Sequence, residues 1–132
     1  MSATRVLIVD DNALNVIVAQ VVLSADGFEI ESAADADEAV QKIAAFRPAL
    51  ILMDIQLPGV DGLELTRRLK AAPATQYIVI VAFTAYAMRG DAEKMLAAGC
   101  DGYVSKPIDV NKFAAQIRSL LHPPAGGVAG LP

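Results

Sequence analysis

Short apolar runs alternate with stretches of helical spacing along most of the chain. The first run, Val6–Val9 in VLIVDDN, is followed by Leu14, Ile17, Val18 and Val21. Their recurrence at i, i+3, i+4 and i+7 predicts a helix, which Gly27 is placed to end. Phe28–Ser32 alternates apolar and polar, as a half-exposed edge strand does. Ala36, Ala39, Val40 and Ile43 repeat the helical spacing, and Pro48 closes that unit. Leu50–Met53 is the next apolar run and ends at Asp54, after which Pro58-Gly59-Val60-Asp61-Gly62 reads as a turn. Residues 63–71 predict a helix with a basic outer face. Ile78–Phe83 is almost wholly apolar, the pattern of a strand buried on both faces. Asp91–Ala98 predicts a helix with Ala92, Met95 and Leu96 inward and Gly99 at its end. Tyr103–Ser105 predicts a short strand, and Val110, Phe113, Ala114, Ile117 and Leu121 a last helix. Five strands alternating with five helices predict an α/β fold, an open parallel sheet covered on both faces.

Composition narrows the class. The 132 residues suffice for one domain, expected over 1–122, and the uncharged segment PPAGGVAGLP at 123–132 reads as a flexible tail or linker stub. Hydrophobic residues make up 55%, yet no apolar run is long enough to cross a bilayer. MSATRVLIVDDN lacks the apolar region and cleavage site of a signal peptide, so the expected compartment is the cytoplasm. Cys100 is the only cysteine, which excludes a disulfide framework and a Cys-based metal cluster within the chain. A net charge of −4 argues against a nucleic-acid surface. Neither nucleic acid nor membrane is an expected partner.

The unusual polar residues all fall at strand ends. Asp10 and Asp11 end the first strand, Asp54 the third, Thr84 the fourth and Lys106 the fifth. In open parallel sheets, functional crevices form at the carboxyl ends, where the strand order reverses. Taken singly, Asp11 or Asn12 can equally cap the following helix, and Asp54 can be a turn residue. Together they predict three carboxylates beside a hydroxyl and a lysine. At an effective dielectric near 20, one such like-charged pair 5 Å apart costs about 3 kcal/mol. A lysine offsets part of this; a divalent cation offsets the rest, and an all-oxygen ligand set suits Mg²⁺ or Mn²⁺ over zinc. A carboxylate-held metal with open positions handles phosphoryl groups. Asp54 can then serve as the nucleophile that forms an acyl phosphate.

VLIVDDN, ILMDIQLPGVDG, FTAYAM and YVSKPID together resemble a response-regulator receiver domain of the two-component and phosphorelay systems, from about Arg5 to Leu121. Within that family the chain resembles single-domain regulators of the kind involved in bacterial division and polarity control. The resemblance implies a flavodoxin-like doubly wound (βα)5 fold with sheet order 2-1-3-4-5. It implies that Asp54 is the phosphoacceptor. Asp11, Asp54 and the backbone carbonyl of Gln56 would hold Mg²⁺ directly, and Asp10 through water. Thr84 and Lys106 would contact the phosphoryl group, Thr84 and Tyr103 would form the switch, and Gln56 and Tyr86 would tune water access. The Lys106–Pro107 bond would be cis. The implied partners are a histidine kinase or histidine phosphotransfer protein as donor, and a downstream protein meeting the face of the fourth helix, fifth strand and fifth helix. Such a protein is a signalling phosphoacceptor and not an enzyme, with slow self-catalysed phosphorylation and dephosphorylation.

Rival readings are weaker or leave the site chemistry unchanged. A phosphatase of the haloacid-dehalogenase type needs a second acid two residues after the nucleophile, where this chain has Gln56. A flavin site needs a phosphate-cradling loop after the first strand, where Asp10-Asp11 would repel a phosphate. A receiver segment of a larger hybrid kinase or multidomain regulator keeps the same site chemistry. His122, the only histidine, reads as a solvated helix-terminal imidazole, so the donor histidine is expected from another protein.

Overall fold

The chain threads β1 (Arg5–Val9), α1 (Ala13–Ala25), β2 (Glu29–Ala33), α2 (Ala36–Phe46), β3 (Leu50–Asp54), α3 (Gly62–Ala71), β4 (Val79–Thr84), α4 (Arg89–Ala98), β5 (Gly102–Ser105) and α5 (Phe113–Leu121). The structure is a computed structural model and describes residues 3–57, 61–85 and 89–121. Tyr86, the turn residues 58–60, His122, the segment 123–132 and the side chain of Ala92 lie outside the described residues. All strand pairings are parallel, in the order β2-β1-β3-β4-β5. Strand boundaries lie within a residue or two of those predicted.

Strand periodicity divides the core into two layers. Leu7, Val9, Ile51, Met53, Ile80 and Ala82 face a cluster completed by Ala39, Ile43, Leu65, Leu69 and Met95 from α2, α3 and α4. Val6, Ile8, Leu50, Leu52, Val81 and Phe83 face the other side, against Ala19 and Leu23 of α1 and Phe113 and Ile117 of α5. Each fully buried aliphatic side chain contributes roughly 1.5–3 kcal/mol. Every residue of β3 is buried, as a strand with neighbours on both edges and helices on both faces must be.

Capping residues fix the helix starts that frame the site. Asn12, Asp35 and Asp61 accept hydrogen bonds from the backbone N–H groups of Asn15, Glu38 and Leu63 respectively. Gly27 follows α1 at φ +92°, where its N–H donates to Ser24 O and the Phe28 N–H to Leu23 O. Arg47 takes the left-handed position after α2 at φ 54°, immediately before Pro48.

Several side-chain placements differ from the periodic reading, among them Val40 of α2, which is exposed. The predicted stripe on α1 faces outward: Leu14, Ile17 and Val21 are exposed. The helix instead buries Ala19 and Leu23, with Val16 and Val22 partly buried beside them. Leu96 is likewise exposed while Met95 is buried, and Val110 is exposed and precedes α5. On α3, Lys70 leaves the basic outer face: its Nζ donates to Ile78 O at 2.7 Å and to Asp101 Oδ2 at 2.9 Å. Asp101 Oδ2 also accepts from the Ile80 N–H, so one lysine joins α3 to the starts of β4 and β5.

Candidate functional site

The site grows from the ends of four strands. Asp10 follows β1 directly, and its N–H still pairs with Ala33 O at the edge of β2. Its Oδ1 accepts from the Asn12 N–H at 2.8 Å, a tight turn that delivers the chain into α1. Asp54 closes β3, and its Oδ1 accepts from the Gln56 N–H at 2.9 Å. Thr84 ends β4 opposite Ser105, and its carbonyl accepts from the Lys106 N–H at 2.8 Å. Because β1 lies between β2 and β3, the chain leaves the sheet to opposite sides there and opens the crevice in which the acids sit.

One ligand oxygen from each of Asp10, Asp11 and Asp54 lies within 4.8 Å of the others. Asp10 and Asp54 are buried at 2% and 5% exposure, whereas Asp11 is open to solvent. The Lys106 Nζ sits 3.0 Å from Asp10 Oδ2 and 3.6 Å from Asp54 Oδ2, and 4.8 Å from the centroid of the Phe83 ring. One cation thus serves two buried acids and is seated closer to Asp10. Burial pushes the Asp54 carboxyl above its ordinary range; the Gln56 N–H and the Lys106 charge pull it down, and Asp10 adds to the rise.

The loop after Asp54 is held by contacts that the turn motif alone does not reveal. Gln56 pairs with Asp61 in an antiparallel bridge, and the Gly62 N–H donates to Ile55 O at 3.1 Å. A Cβ on Gly62 would lie 2.1 Å from Asp54 O and 2.7 Å from Ile55 Cα. The first turn of α3 therefore rests directly on the backbone that carries Asp54. Thr84 is buried, Gln56 is exposed, and Tyr103 is 45% exposed on the edge strand β5. The Lys106–Pro107 peptide bond is cis.

The raised Asp54 carboxyl has a consequence for stability. Below the unfolded-state pKa both states are protonated and the cost is absent. As pH rises the unfolded state ionises first, and above the folded-state pKa the full penalty is present. Asp54→Asn is therefore expected to raise the melting temperature of the metal-free protein at neutral pH, with the gain vanishing in acid. Thermal melts in chelator from acid to neutral pH measure this; a constant offset would contradict it.

This topology, with acids at the β1 and β3 ends and a lysine after β5, defines the class. The chain belongs to the response regulator receiver domain family, whose model matches residues 6–118. It is 44% identical over 116 residues to the polar-differentiation response regulator DivK of Brucella anthropi, an alignment covering 88% of this chain and 94% of that protein. A putative response regulator from Chloroflexus aurantiacus has a similar structure, with a TM-score of 0.86 at 29% identity over 91% of this chain and 98% of that one. The receiver domain of a sensor histidine kinase from Pseudomonas aeruginosa was solved with a magnesium ion coordinated in its active-site cleft. It matches with a TM-score of 0.81 at 32% identity, covering 91% and 98% of the two chains. Receiver domains of response regulators are signalling proteins of two-component systems and not classical enzymes. The donor set here fits a hard divalent cation, since it is all oxygen, threefold acidic and only partly neutralised by Lys106. Among the described residues no helix is long and apolar enough to cross a membrane.

Proposed function

We propose that Asp54 accepts a phosphoryl group from a phosphohistidine of a kinase or phosphotransfer protein, and that the resulting acyl phosphate changes the surface offered to a downstream protein. The observation that carries this reading is the convergence of three carboxylates at the β1 and β3 ends, two of them beside Lys106 after β5. In the step, a carboxylate oxygen of Asp54 forms the new P–O bond while the donor's P–N bond breaks, and the departing imidazole takes up a proton. Asp11, Asp54 and the Gln56 carbonyl would hold Mg²⁺, with Asp10 acting through water. The ion would supply charge neutralisation for the equatorial phosphoryl oxygens and offset the repulsion among the acids.

The chain's own residues do the rest. Lys106 is already within reach of Asp54 and can follow the negative charge onto the phosphoryl group. Phosphorylation adds about −1.5 to −2 charges and three strong acceptors. The Thr84 hydroxyl moves toward them, and Tyr103, one strand away, turns into the space vacated. The population then shifts toward a state with an altered α4–β5–α5 face. Gln56, beside Asp54, and Tyr86 set how readily water reaches the acyl phosphate and so how long the signal lasts.

Incubation with acetyl phosphate and Mg²⁺, read by intact mass, tests the proposal. Wild-type protein is expected to gain one phosphoryl group, and chelator or Asp54→Asn to prevent it. Folded protein that stays unlabelled with Mg²⁺ present would sink the reading.

A further inference from the structure

We propose that Asn15 is a positioning residue for Asp10, holding that carboxylate when Lys106 leaves it for the phosphoryl group; the inference rests on the phosphoacceptor reading of Asp54. Asp10 is almost fully buried, and each of its oxygens is engaged. Oδ1 accepts from the Asn12 N–H at 2.8 Å. Oδ2 is shared by two donors, the Lys106 Nζ at 3.0 Å and the Asn15 side-chain amide Nδ2 at 3.4 Å. The lysine has the shorter contact, and the amide stands behind it on the same atom.

The sequence D-D-N-x-x-N closes a ring of hydrogen bonds around this carboxylate. Asn12 Oδ1 accepts from the Asn15 N–H at 3.1 Å, which caps α1 and fixes the Asn15 backbone in the first turn. From there the Asn15 amide reaches back to Asp10. Cap and carboxylate are thus oriented by one residue. Its donor is neutral, does not titrate, and sits in the capped first turn of α1.

This arrangement matters because Lys106 has two tasks that compete. While seated on Asp10 it neutralises a buried acid; once Asp54 carries a phosphoryl group, the larger charge there draws it away. A buried carboxylate that loses its lysine partner is costly unless other donors remain. With Asn15 in place, Asp10 keeps a donor on each oxygen throughout. Without it, Lys106 stays bound to Asp10 more firmly, and the phosphorylated state and the transition state leading to it are less favourable.

The test uses Asn15→Ala in the full chain. Labelling by acetyl phosphate at saturating Mg²⁺ is expected to slow about three- to tenfold, the effect of one hydrogen bond. Mg²⁺ affinity of the phosphate-free protein, by titration calorimetry, is expected to stay within about twofold, because Lys106 still covers Asp10 there. An unchanged labelling rate would overturn the proposal, as would a parallel loss of Mg²⁺ affinity and thermal stability. A second measurement needs no phosphorylation. The two donors cover for each other, so Asn15→Ala should lower the melting temperature more in a Lys106→Met background than in wild type. Equal shifts would overturn the idea. If wild-type protein fails to label, the fault lies with the phosphoacceptor reading, and this second comparison still judges the role of Asn15.

Discussion

Alanine at Gly62 is expected to destabilise the protein by about 3 kcal/mol, a large loss for an exchange that adds one methyl group. The added Cβ would sit 2.1 Å from the Asp54 carbonyl oxygen and 2.7 Å from Ile55 Cα. Both are backbone atoms, so no rotamer change relieves the overlap. Either α3 lifts from the sheet, uncovering Leu63 and Leu65, or the end of β3 shifts and takes Asp54 with it. Gly27→Ala is the useful contrast. There nothing lies within 4 Å, and only the φ of +92° resists a side chain, for about 1 kcal/mol. Urea denaturation of the two variants separates close approach from backbone conformation. A Gly62→Ala protein as stable as Gly27→Ala would refute the packing argument. Phosphoryl labelling should suffer only in Gly62→Ala.

Lys106→Met should be nearly as damaging to the metal-free protein, by about 2–4 kcal/mol. It leaves Asp10 and Asp54 buried without the cation that serves both. Methionine keeps an unbranched apolar stem but loses the ammonium seated 4.8 Å from the Phe83 ring centroid, so the loss reports charge more than volume. The sign with pH follows from that. Losing the Lys106 charge that holds the raised Asp54 carboxyl down lets it take up a proton more readily in the folded state, so the deficit is largest at neutral pH and shrinks on acidification. Mg²⁺ should restore more stability to Lys106→Met than it adds to wild type, since it enters a more negative cluster. Melting temperatures with and without Mg²⁺ across that pH range check both statements. A deficit independent of pH and of Mg²⁺ would mean that Lys106 acts by packing alone.

The acids of the site were legible from sequence because they are anomalous where they stand. Charges that end runs such as VLIVDD and LILMD are costly to bury without a partner, and parallel-sheet topology brings such ends together. Gly62 and Asn15 gave no comparable signal. A glycine within PGVDG is adequately explained as a turn residue, and an asparagine in the first turn of a helix is ordinary. Only the approach of α3 to Asp54, and the reach of Asn15 back to Asp10, set them apart. Lys70 is a similar case, since its partners lie on β4 and β5 and are invisible to a helical pattern.

The strands were placed well because burial on both faces leaves continuous apolar runs. The phase of α1 was not, and the reason is physical. Apolar residues surround this helix, with Val16, Ala19, Val22 and Leu23 spaced as regularly as Leu14, Ile17, Val18 and Val21. Periodicity then allows two faces, and the sheet selects the one whose small Ala19 permits close approach. Met95 and Leu96 present the same ambiguity at neighbouring positions.

The sheet order also bears on how the chain is made. Synthesis proceeds from the N-terminus, so β1 and β3 can pair, and Asp10 can meet Asp54, before Lys106 has emerged. A nascent chain that stops short of β5 carries two crowded acids without their cation and leaves the outer edge of β4 unpaired. It also lacks Phe113 and Ile117, which cover Val81 and Phe83. Residues 102–121 therefore supply the neutralising charge, the closing strand and the apolar cover at once. Until residues 102–121 have been added, the acidic crevice lacks its cation and one of its walls.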